Sequence, residues 1–191
     1  MTIKAFLLYT FIAALAAPAW SNTCDTHTRA ASTPTENFTD NGDGTVTDKR
    51  SGLTWMRCAH GQTWSGADCT GSAQRLAWPD ALAMALNLNA LGGQAGHADW
   101  RIPKLPELAG IVERQCSDPR INLVLFPATP AAAFWSATSR RGADEQALAL
   151  SFGPEGVGVD SKEETHFVRL VRGGEAASPK TLPRKDGIWP D

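Results

Sequence analysis

One tryptophan and five basic residues carry the side chains best suited to binding chemistry. Trp64 lies in a loop rich in glycine and serine, and an indole held exposed in a rigid loop can stack on a sugar ring. Guanidinium groups match the geometry of sulfate and carboxylate, so we predict an anion-binding site. Its candidate residues are Arg101, Lys104, Arg120, Arg140 and Arg141. The alternative is that these charges are solvated or pair with acidic residues of the same chain.

The net charge argues against a nucleic-acid partner. The chain has 18 Lys and Arg against 20 Asp and Glu, a net charge of −2, whereas nucleic-acid binders are usually basic. The charge is unevenly distributed: residues 97–141 hold six basic and four acidic side chains, residues 142–167 one and six, and residues 168–191 five and three. An acidic segment therefore lies between two basic ones.

The N-terminus has the features of a signal peptide. Lys4 precedes an apolar run from Ala5 to Ala17, and small residues follow in a pattern typical of signal peptidase sites, with cleavage favoured after Ser21. The run is about 13 residues, shorter than the roughly 20 that cross a bilayer. We expect residues 1–21 to be removed, which leaves an exported chain without a membrane span, either periplasmic or secreted to the cell surface.

The four cysteines are predicted to form two disulfides. An even number in an exported chain is typical of a disulfide framework, and four cysteines allow three connectivities. We favour pairing Cys58 with Cys69, because only ten residues lie between them. Cys24 would then pair with Cys116 and tie the N-terminus to the core. The alternative, zinc bound by Cys58, His60 and Cys69, lacks a second close pair of ligands. We predict no metal and no cofactor.

A calcium loop is a weaker alternative for residues 41–45. The stretch Asn-Gly-Asp-Gly-Thr resembles the middle of such a loop, but Thr39 and Arg50 stand where carboxylate ligands are needed. A tight hairpin turn explains the same residues. A structural ion near Asp40, Asp43 or Asp48 is left open.

No motif in the sequence predicts catalysis. The chain has no Gly-x-Ser-x-Gly elbow, no His-Glu-x-x-His and no glycine-rich phosphate loop, and its four histidines are far apart. Glu107 and Glu113 lie six residues apart on one predicted helix, face different directions and do not form an obvious acid–base pair. We expect a binding protein rather than an enzyme.

Periodicity and turn signals predict one α+β domain over residues 38–173, with tails at 22–37 and 174–191. A hairpin over 38–48 and a strand over 53–57 are followed by two helices. The first helix starts at Trp78 and stops before Gly92, and the second runs from near Leu105 with an apolar face that ends at Cys116.

The rest of the predicted domain is a long irregular loop and antiparallel strands. The loop spans 117–133, and the strands are expected near 134–138, 148–152, 156–159 and 167–172. The first and last strands of the domain could pair. Four tryptophans are better interpreted as core than as a sugar platform: Trp55, Trp78, Trp100 and Trp135.

Several motifs in a fixed order resemble one known family. They are GTVTD at 44–48, GLTW at 52–55, DWRIP at 99–103, PEL at 106–108, IN at 121–122, FP at 126–127, FWS at 134–136 and VRLVRG at 168–173. Together they resemble the Lcl C-terminal domain family, which is named for the Legionella collagen-like adhesin and was long catalogued as a domain of unknown function.

The resemblance implies a C-type-lectin-like α+β fold, an exported bacterial protein and a non-catalytic binding role. In the adhesin, the domain is associated with recognition of sulfated polysaccharides at surfaces, so a surface glycan or other polyanion is the expected partner. A protein partner recognised through the loop at 117–133 is one alternative. An enzyme on the related formylglycine-generating-enzyme fold is another, although the cysteines here are better placed as disulfides.

Overall fold

The computed structural model describes residues 22–174, in which short strands alternate with two helices. The helices are α1 (Trp78–Ala90) and α2 (Leu105–Ala109), and a 3₁₀ turn covers Thr35–Asn37. The strands are β1 (Thr23–Cys24), β2 (Phe38–Asp40), β3 (Thr45–Asp48), β4 (Thr54–Met56), β5 (Thr63–Trp64), β6 (Cys69–Thr70), β7 (Arg75–Ala77), β8 (Cys116–Ser117), β9 (Ala133–Ser139), β10 (Gln146–Ser151), β11 (Val157–Ser161), β12 (Thr165–Phe167) and β13 (Val171–Arg172).

Residues 1–21, the predicted signal peptide, lie outside the described residues, as does all but the first residue of the predicted tail at 174–191. Within residues 22–174, no helix is long and apolar enough to cross a membrane.

Two main sheets, the short β5–β6 hairpin and the pair formed by the distant strands β1 and β8 make up the β structure. The larger sheet has the order β11-β10-β9-β12-β7, and its one parallel pair is β12 with β9. The smaller sheet has the order β13-β4-β3-β2, with Val171 opposite Trp55. The last strand therefore pairs with β4 rather than with β2 at the start of the domain. The prediction of an α+β fold with antiparallel strands is confirmed, whereas its C-type-lectin-like topology stays a prediction.

The β2–β3 hairpin turns on the residues that also resemble a calcium loop. Gly42 and Gly44 have φ of 77° and 87°, and the Asp43 carboxylate accepts hydrogen bonds from the Thr45 amide and hydroxyl. These side chains serve a tight turn. Among residues 22–174, no group of three or more His, Cys, Asp or Glu side chains could hold a metal ion.

Hydrophobic side chains form two clusters on opposite sides of the strands. Successive residues of a strand point to opposite faces, so Trp55 and Phe134 enter one cluster while their neighbours Met56 and Trp135 enter the other. Of the four predicted core tryptophans, Trp55, Trp100 and Trp135 are at most 2% exposed. Trp78 is half-buried, with the Lys162 ammonium 4.3 Å from its ring.

Arg169 lies inside this core rather than on the surface. Its guanidinium is fully buried and donates to the carbonyls of Met56 and Arg57 and to the Thr129 hydroxyl. It also packs 4.9 Å from the Phe126 ring centre. Burial lowers the pKa of Arg169 to about 9, so the side chain still carries its charge at neutral pH.

The second helix is much shorter than predicted. Helix α2 ends at Ala109, and Cys116 belongs to strand β8. The reason lies just after the helix, where the Glu113 carboxylate accepts the Gln115 amide and Val112 forms a bridge to Ile121. These contacts hold the chain in turns, although Cys116 remains buried as the apolar periodicity predicted.

Residues 22–37, which we call the N-terminal strap, are attached to the domain and differ in this respect from the predicted tail. Strand β1 pairs with β8, and Thr33 is fully buried. The Glu113 carboxylate accepts hydrogen bonds from the backbone amides and hydroxyls of Ser32 and Thr33. Composition suggested a tail because the strap lacks apolar periodicity. In the structure, hydrogen bonds to residues distant in the chain hold the strap in place.

Candidate functional site

A cavity of about 520 Å³ lies between helix α1 and the loop that follows Cys58. Its apolar lining includes Met56, Leu76, Met84, Leu88 and Leu170. Its polar lining consists of His60, Gln62, Asp80, Asn87 and Gln94, and Trp64 forms part of the wall. The size falls within the range of small-molecule sites, roughly 300–1,000 Å³.

The loop wall of the cavity is fixed by covalent and hydrogen bonds. The Cys58–Cys69 disulfide joins Cα atoms 5.4 Å apart and closes the loop that carries Trp64. The Gln62 side chain accepts the Ala59 amide at 3.0 Å and donates to the Ala128 carbonyl at 3.0 Å. Gln62 therefore supports the wall, and half of its hydrogen-bonding capacity is used within the chain.

The helix wall follows from the spacing of residues along α1. Ala81 and Ala85 are buried against the core, and the helix begins with Pro79 in its first turn. Residues three and four apart share a helix face, which brings Asp80, Met84, Asn87 and Leu88 to the cavity. Within residues 22–174, no hydrogen bond to another residue engages the side chains of Asp80, Asn87 or Gln94.

Trp64 lines the cavity but is packed more closely than the sequence suggested. It is half-buried, and the Arg57 guanidinium lies 4.3 Å from its ring centre. A Cβ built on Gly44 would come within 2.9 Å of the indole, so glycine is needed for this close approach. The indole Nε1 is buried and has no acceptor within the described residues. Trp64 is therefore a wall of the cavity rather than a free-standing platform.

Arg57 packs against the Trp64 indole and fixes its position. Its guanidinium donates to the Val124 and Leu125 carbonyls and forms an ion pair with Asp40 at 2.6 Å. Because three partners fix the guanidinium, the indole that packs on it has a defined position.

His60 contributes a neutral polar group to the wall. Burial lowers the pKa of His60, because a partly desolvated imidazole favours its uncharged form. The His60 amide donates to the Val168 carbonyl, and the His60 carbonyl accepts the Gln74 amide. The imidazole is therefore carried by a fixed stretch of backbone.

Three of the predicted basic residues lie near one end of strand β9. The Leu105 amide donates to the Thr138 hydroxyl, which brings the neighbouring Lys104 close to the end of the strand. Arg140 follows the strand directly. Its amide donates to the Gln146 carbonyl, and its guanidinium donates to the Gln146 side-chain oxygen at 2.5 Å. Lys104, Arg140 and Arg141 are all exposed.

Arg120 and Arg101 are placed differently. The Arg120 amide donates to the carbonyl of Phe152, whose own amide bonds Ala132 at the opposite end of β9. A strand of seven residues spans roughly 20 Å, so Arg120 is far from Arg140. Arg101 donates through both Nη atoms to the Glu107 carboxylate at 2.7 Å.

The Arg101–Glu107 pair is a local structural contact at the start of α2. Burial by itself raises the pKa of Glu107, but the hydrogen bonds from Arg101 and from the Lys104 amide outweigh it and hold this pKa below its ordinary value. The positive charge of Arg101 is thus compensated within the chain. The anion site predicted from the sequence stays a prediction: Arg101 is paired with Glu107, and Arg120 lies at the opposite end of β9 from Lys104, Arg140 and Arg141.

Sequence reasoning identified Trp64 but missed the helix residues of the cavity. The apolar periodicity of α1 predicts only its core-facing side. It therefore did not indicate the cavity residues Asp80, Met84, Asn87 and Leu88. The available signal was the composition of α1, in which Asp80 is the sole charged residue. A surface helix normally carries several charges on its outer face, so an uncharged one indicates a covered or ligand-facing surface.

Taken together, the cavity can enclose a small ligand that has an apolar surface and several hydroxyl or amide groups. The apolar side chains line its base, and the unengaged Asp80, Asn87 and Gln94 side chains offer donors and acceptors.

Both disulfides join the pairs favoured from the sequence, Cys24 with Cys116 and Cys58 with Cys69, and no free cysteine occurs among residues 22–174. No curated protein matches the chain. A family model described as the Lcl C-terminal domain matches residues 44–172, which cover the whole cavity lining and every strand of the two main sheets except β2. This match extends over more than half of the sequence, and the chain therefore belongs to the Lcl C-terminal domain family.

Proposed function

We propose that this protein is an exported, non-catalytic binding module that holds a saccharide unit of a surface glycan in the cavity beside α1. The observation that carries the proposal is the set of unengaged polar side chains, Asp80, Asn87 and Gln94, around an apolar base. A pyranose ring presents C–H groups on its faces and hydroxyls around its rim, which suits this combination.

The family and the disulfides support the same class of function. Membership of the Lcl C-terminal domain family indicates an adhesin-like extracellular domain. The two disulfides are consistent with an exported protein, because such bonds persist in oxidising compartments.

A neutral saccharide fits the cavity better than a sulfated one. Among residues 22–174, Asp80 is the acidic side chain of the lining, and neither lysine nor arginine lines the cavity. Arg57 packs behind Trp64 with its charge paired to Asp40. A sulfated or otherwise anionic polysaccharide would instead be expected at Lys104, Arg140 and Arg141, which are exposed near one end of β9.

Binding to a glycan array tests the proposal and separates these two modes. The chain from Asn22 onward, with disulfides intact, is applied at low and physiological salt, with and without chelator. We expect binding to neutral saccharides that changes little with salt and does not need metal. Binding confined to sulfated chains, and lost as salt rises, would contradict the cavity and favour the basic residues.

Two tryptophan substitutions on helix α1 provide a matched pair. Ala83 and Ala90 are both exposed, but only Ala83 lines the cavity. Ala83→Trp should fill the entrance and weaken saccharide binding by about tenfold or more, whereas Ala90→Trp should leave it unchanged. Equal affinities for the two variants, or no saccharide binding by the unmodified chain, would overturn the proposal.

A further inference from the structure

Strand β11 forms an edge of the five-stranded sheet, and within residues 22–174 no further strand pairs with it. It pairs with β10 on one side and is the last strand in the sheet order. Val157 and Val159 point to the same face and are 56% and 44% exposed. Opposite them on β10 lie Leu150 and Leu148, so the two valines continue an apolar face that stops at the edge.

The hydrogen-bond pattern identifies which backbone groups of β11 are free of β10. The Ser151 amide bonds the Gly156 carbonyl, and the Lys162 amide bonds the Glu145 carbonyl. Hydrogen-bonded pairs alternate with non-bonded pairs in an antiparallel ladder. Gly158 and Asp160 therefore bond inward to β10, while the amides and carbonyls of Val157 and Val159 face the outer edge.

The features that usually protect an edge are missing from β11. The strand contains neither lysine nor proline. Its one charged residue, Asp160, is paired with His166 at 2.9 Å. An exposed β-branched strand of this kind is a ready template for another strand.

Acidic side chains lie at both ends of the edge. Glu155 precedes β11, Glu163 and Glu164 follow it, and all three are exposed. The basic residue of this stretch, Lys162, lies with its ammonium 4.3 Å from the Trp78 ring centre. An incoming strand would therefore meet an apolar centre and a negative charge at each end.

We propose that the free edge of β11 binds an extended basic segment of a partner protein, which adds to the sheet as a sixth strand. Main-chain hydrogen bonds to Val157 and Val159 would supply affinity, and alternate apolar side chains would cover the two valines. Lysine or arginine near each end of the segment would complement Glu155 and the Glu163–Glu164 pair.

Charge disfavours a second copy of this chain as the occupant. Antiparallel self-pairing would bring Glu155 of one copy near Glu163 and Glu164 of the other, and like charges oppose each other in this arrangement. A basic partner removes this repulsion.

The test uses two labelled peptides with alternating valine and threonine, one with lysine at each end and one with glutamate. Fluorescence anisotropy should detect binding of the lysine peptide to the full chain, weakening as salt rises, with the glutamate peptide at least about tenfold weaker. Val159→Pro removes an outward amide without touching the β10 ladder and should weaken the lysine peptide by about tenfold.

A second variant and a control guard against misfolding. The double variant Val157→Lys/Val159→Lys keeps every backbone donor and should also lose the lysine peptide. The control Val124→Lys changes a valine outside β11 that is 66% exposed, and this variant should bind the lysine peptide normally. Equal binding of both peptides, equal binding by Val159→Pro, or no binding of the lysine peptide would overturn the proposal.

Self-association is the competing outcome. A concentration-dependent dimer that Val159→Pro abolishes would replace the basic partner with a second copy of the chain. The cavity lining includes no residue of β11, so Ala83→Trp should bind the lysine peptide normally. The two proposals can therefore fail separately.

Discussion

Glu113 and the cavity side chains are all polar, but only Glu113 is buried and bonded within the chain, whereas Asp80 and Asn87 are exposed. Glu113 is 2% exposed and accepts hydrogen bonds from Ser32, Thr33 and Gln115. Asp80 and Asn87 line a cavity and, among the described residues, have no side-chain hydrogen bond to another residue.

The contrast separates a structural role from a binding role. A buried carboxylate with a full set of donors stabilises the fold, because leaving it unpaired would be costly. Polar groups that remain unengaged in a concave, partly apolar site can still exchange water for a ligand. Changes at the strap should therefore alter stability, and changes at the cavity should alter affinity.

The largest expected effect is the loss of the disulfide that anchors the strap. Cys24 and Cys116 are 92 residues apart, so the chain-entropy model gives about 4–5 kcal/mol for the double variant Cys24→Ala/Cys116→Ala. Urea unfolding measures this loss. Saccharide affinity of the folded fraction should stay unchanged, and a parallel loss of affinity would break the separation between the two regions.

Glu113→Ala should lower the free energy of unfolding by about 3 kcal/mol, because the amides of Ser32 and Thr33 lose their acceptor. Glu164→Ala, an exposed glutamate outside the strap, is the matched control and should change stability by less than about 0.5 kcal/mol. Similar losses of unfolding free energy in the two variants would show that Glu113 has no such structural role.

Acid should weaken the strap over a defined pH range. Burial raises the pKa of Glu113, but hydrogen bonds from Ser32, Gln115 and Thr33 outweigh it and lower the pKa to about 2, from an ordinary value of 4.5. A depressed folded-state pKa stabilises the fold above pH 4.5, and this contribution is lost as the pH falls towards 2. The free energy of unfolding, measured from pH 6 to pH 2, should fall by about 2–3 kcal/mol because of this group. Glu113→Gln should flatten that pH profile.

The smallest and sharpest test compares two asparagines on helix α1. Asn89 bonds the Trp100 amide and carbonyl, at 3.0 and 2.7 Å, whereas Asn87 lines the cavity. Asn89→Ala should cost about 2 kcal/mol of stability with little change in affinity. Asn87→Ala should cost less than about 0.5 kcal/mol of stability but weaken saccharide binding by about tenfold. Calorimetry of both variants gives both quantities, and a stability loss at Asn87 equal to that at Asn89 would contradict the contrast.

Much of the fold could be predicted from local sequence signals. The Asn-Gly-Asp-Gly turn, the start of α1 at Trp78 and the strand around Phe134 each depend on neighbouring residues, and all three occur. The extent of α2 could not be predicted in this way, because Glu113 bonds residues about 80 positions earlier in the chain. Helix periodicity contains no information on such distant partners.

The candidate site was predictable in part. Trp64 was identifiable from its glycine- and serine-rich loop, and the Cys58–Cys69 pair from its short spacing. Met56, Asn87 and Leu170 come from three separate parts of the sequence, so no spacing links them. The basic residues also looked alike in the sequence, yet Arg101 is paired with Glu107 whereas Arg141 is exposed.

The sequence by itself determined the family and the class of fold, because these depend on ordered motifs and local periodicity. Cysteine spacing favoured one set of disulfide pairs among three, and the structure contains that set. Only the tertiary structure decided which polar groups are satisfied, that a cavity forms beside α1, and that β11 is an edge with two exposed valines. The physical reason is that hydrogen bonds, burial and charge pairing act through space. Their strength at Glu113, Asn87 or Arg101 depends on residues that are distant in the chain.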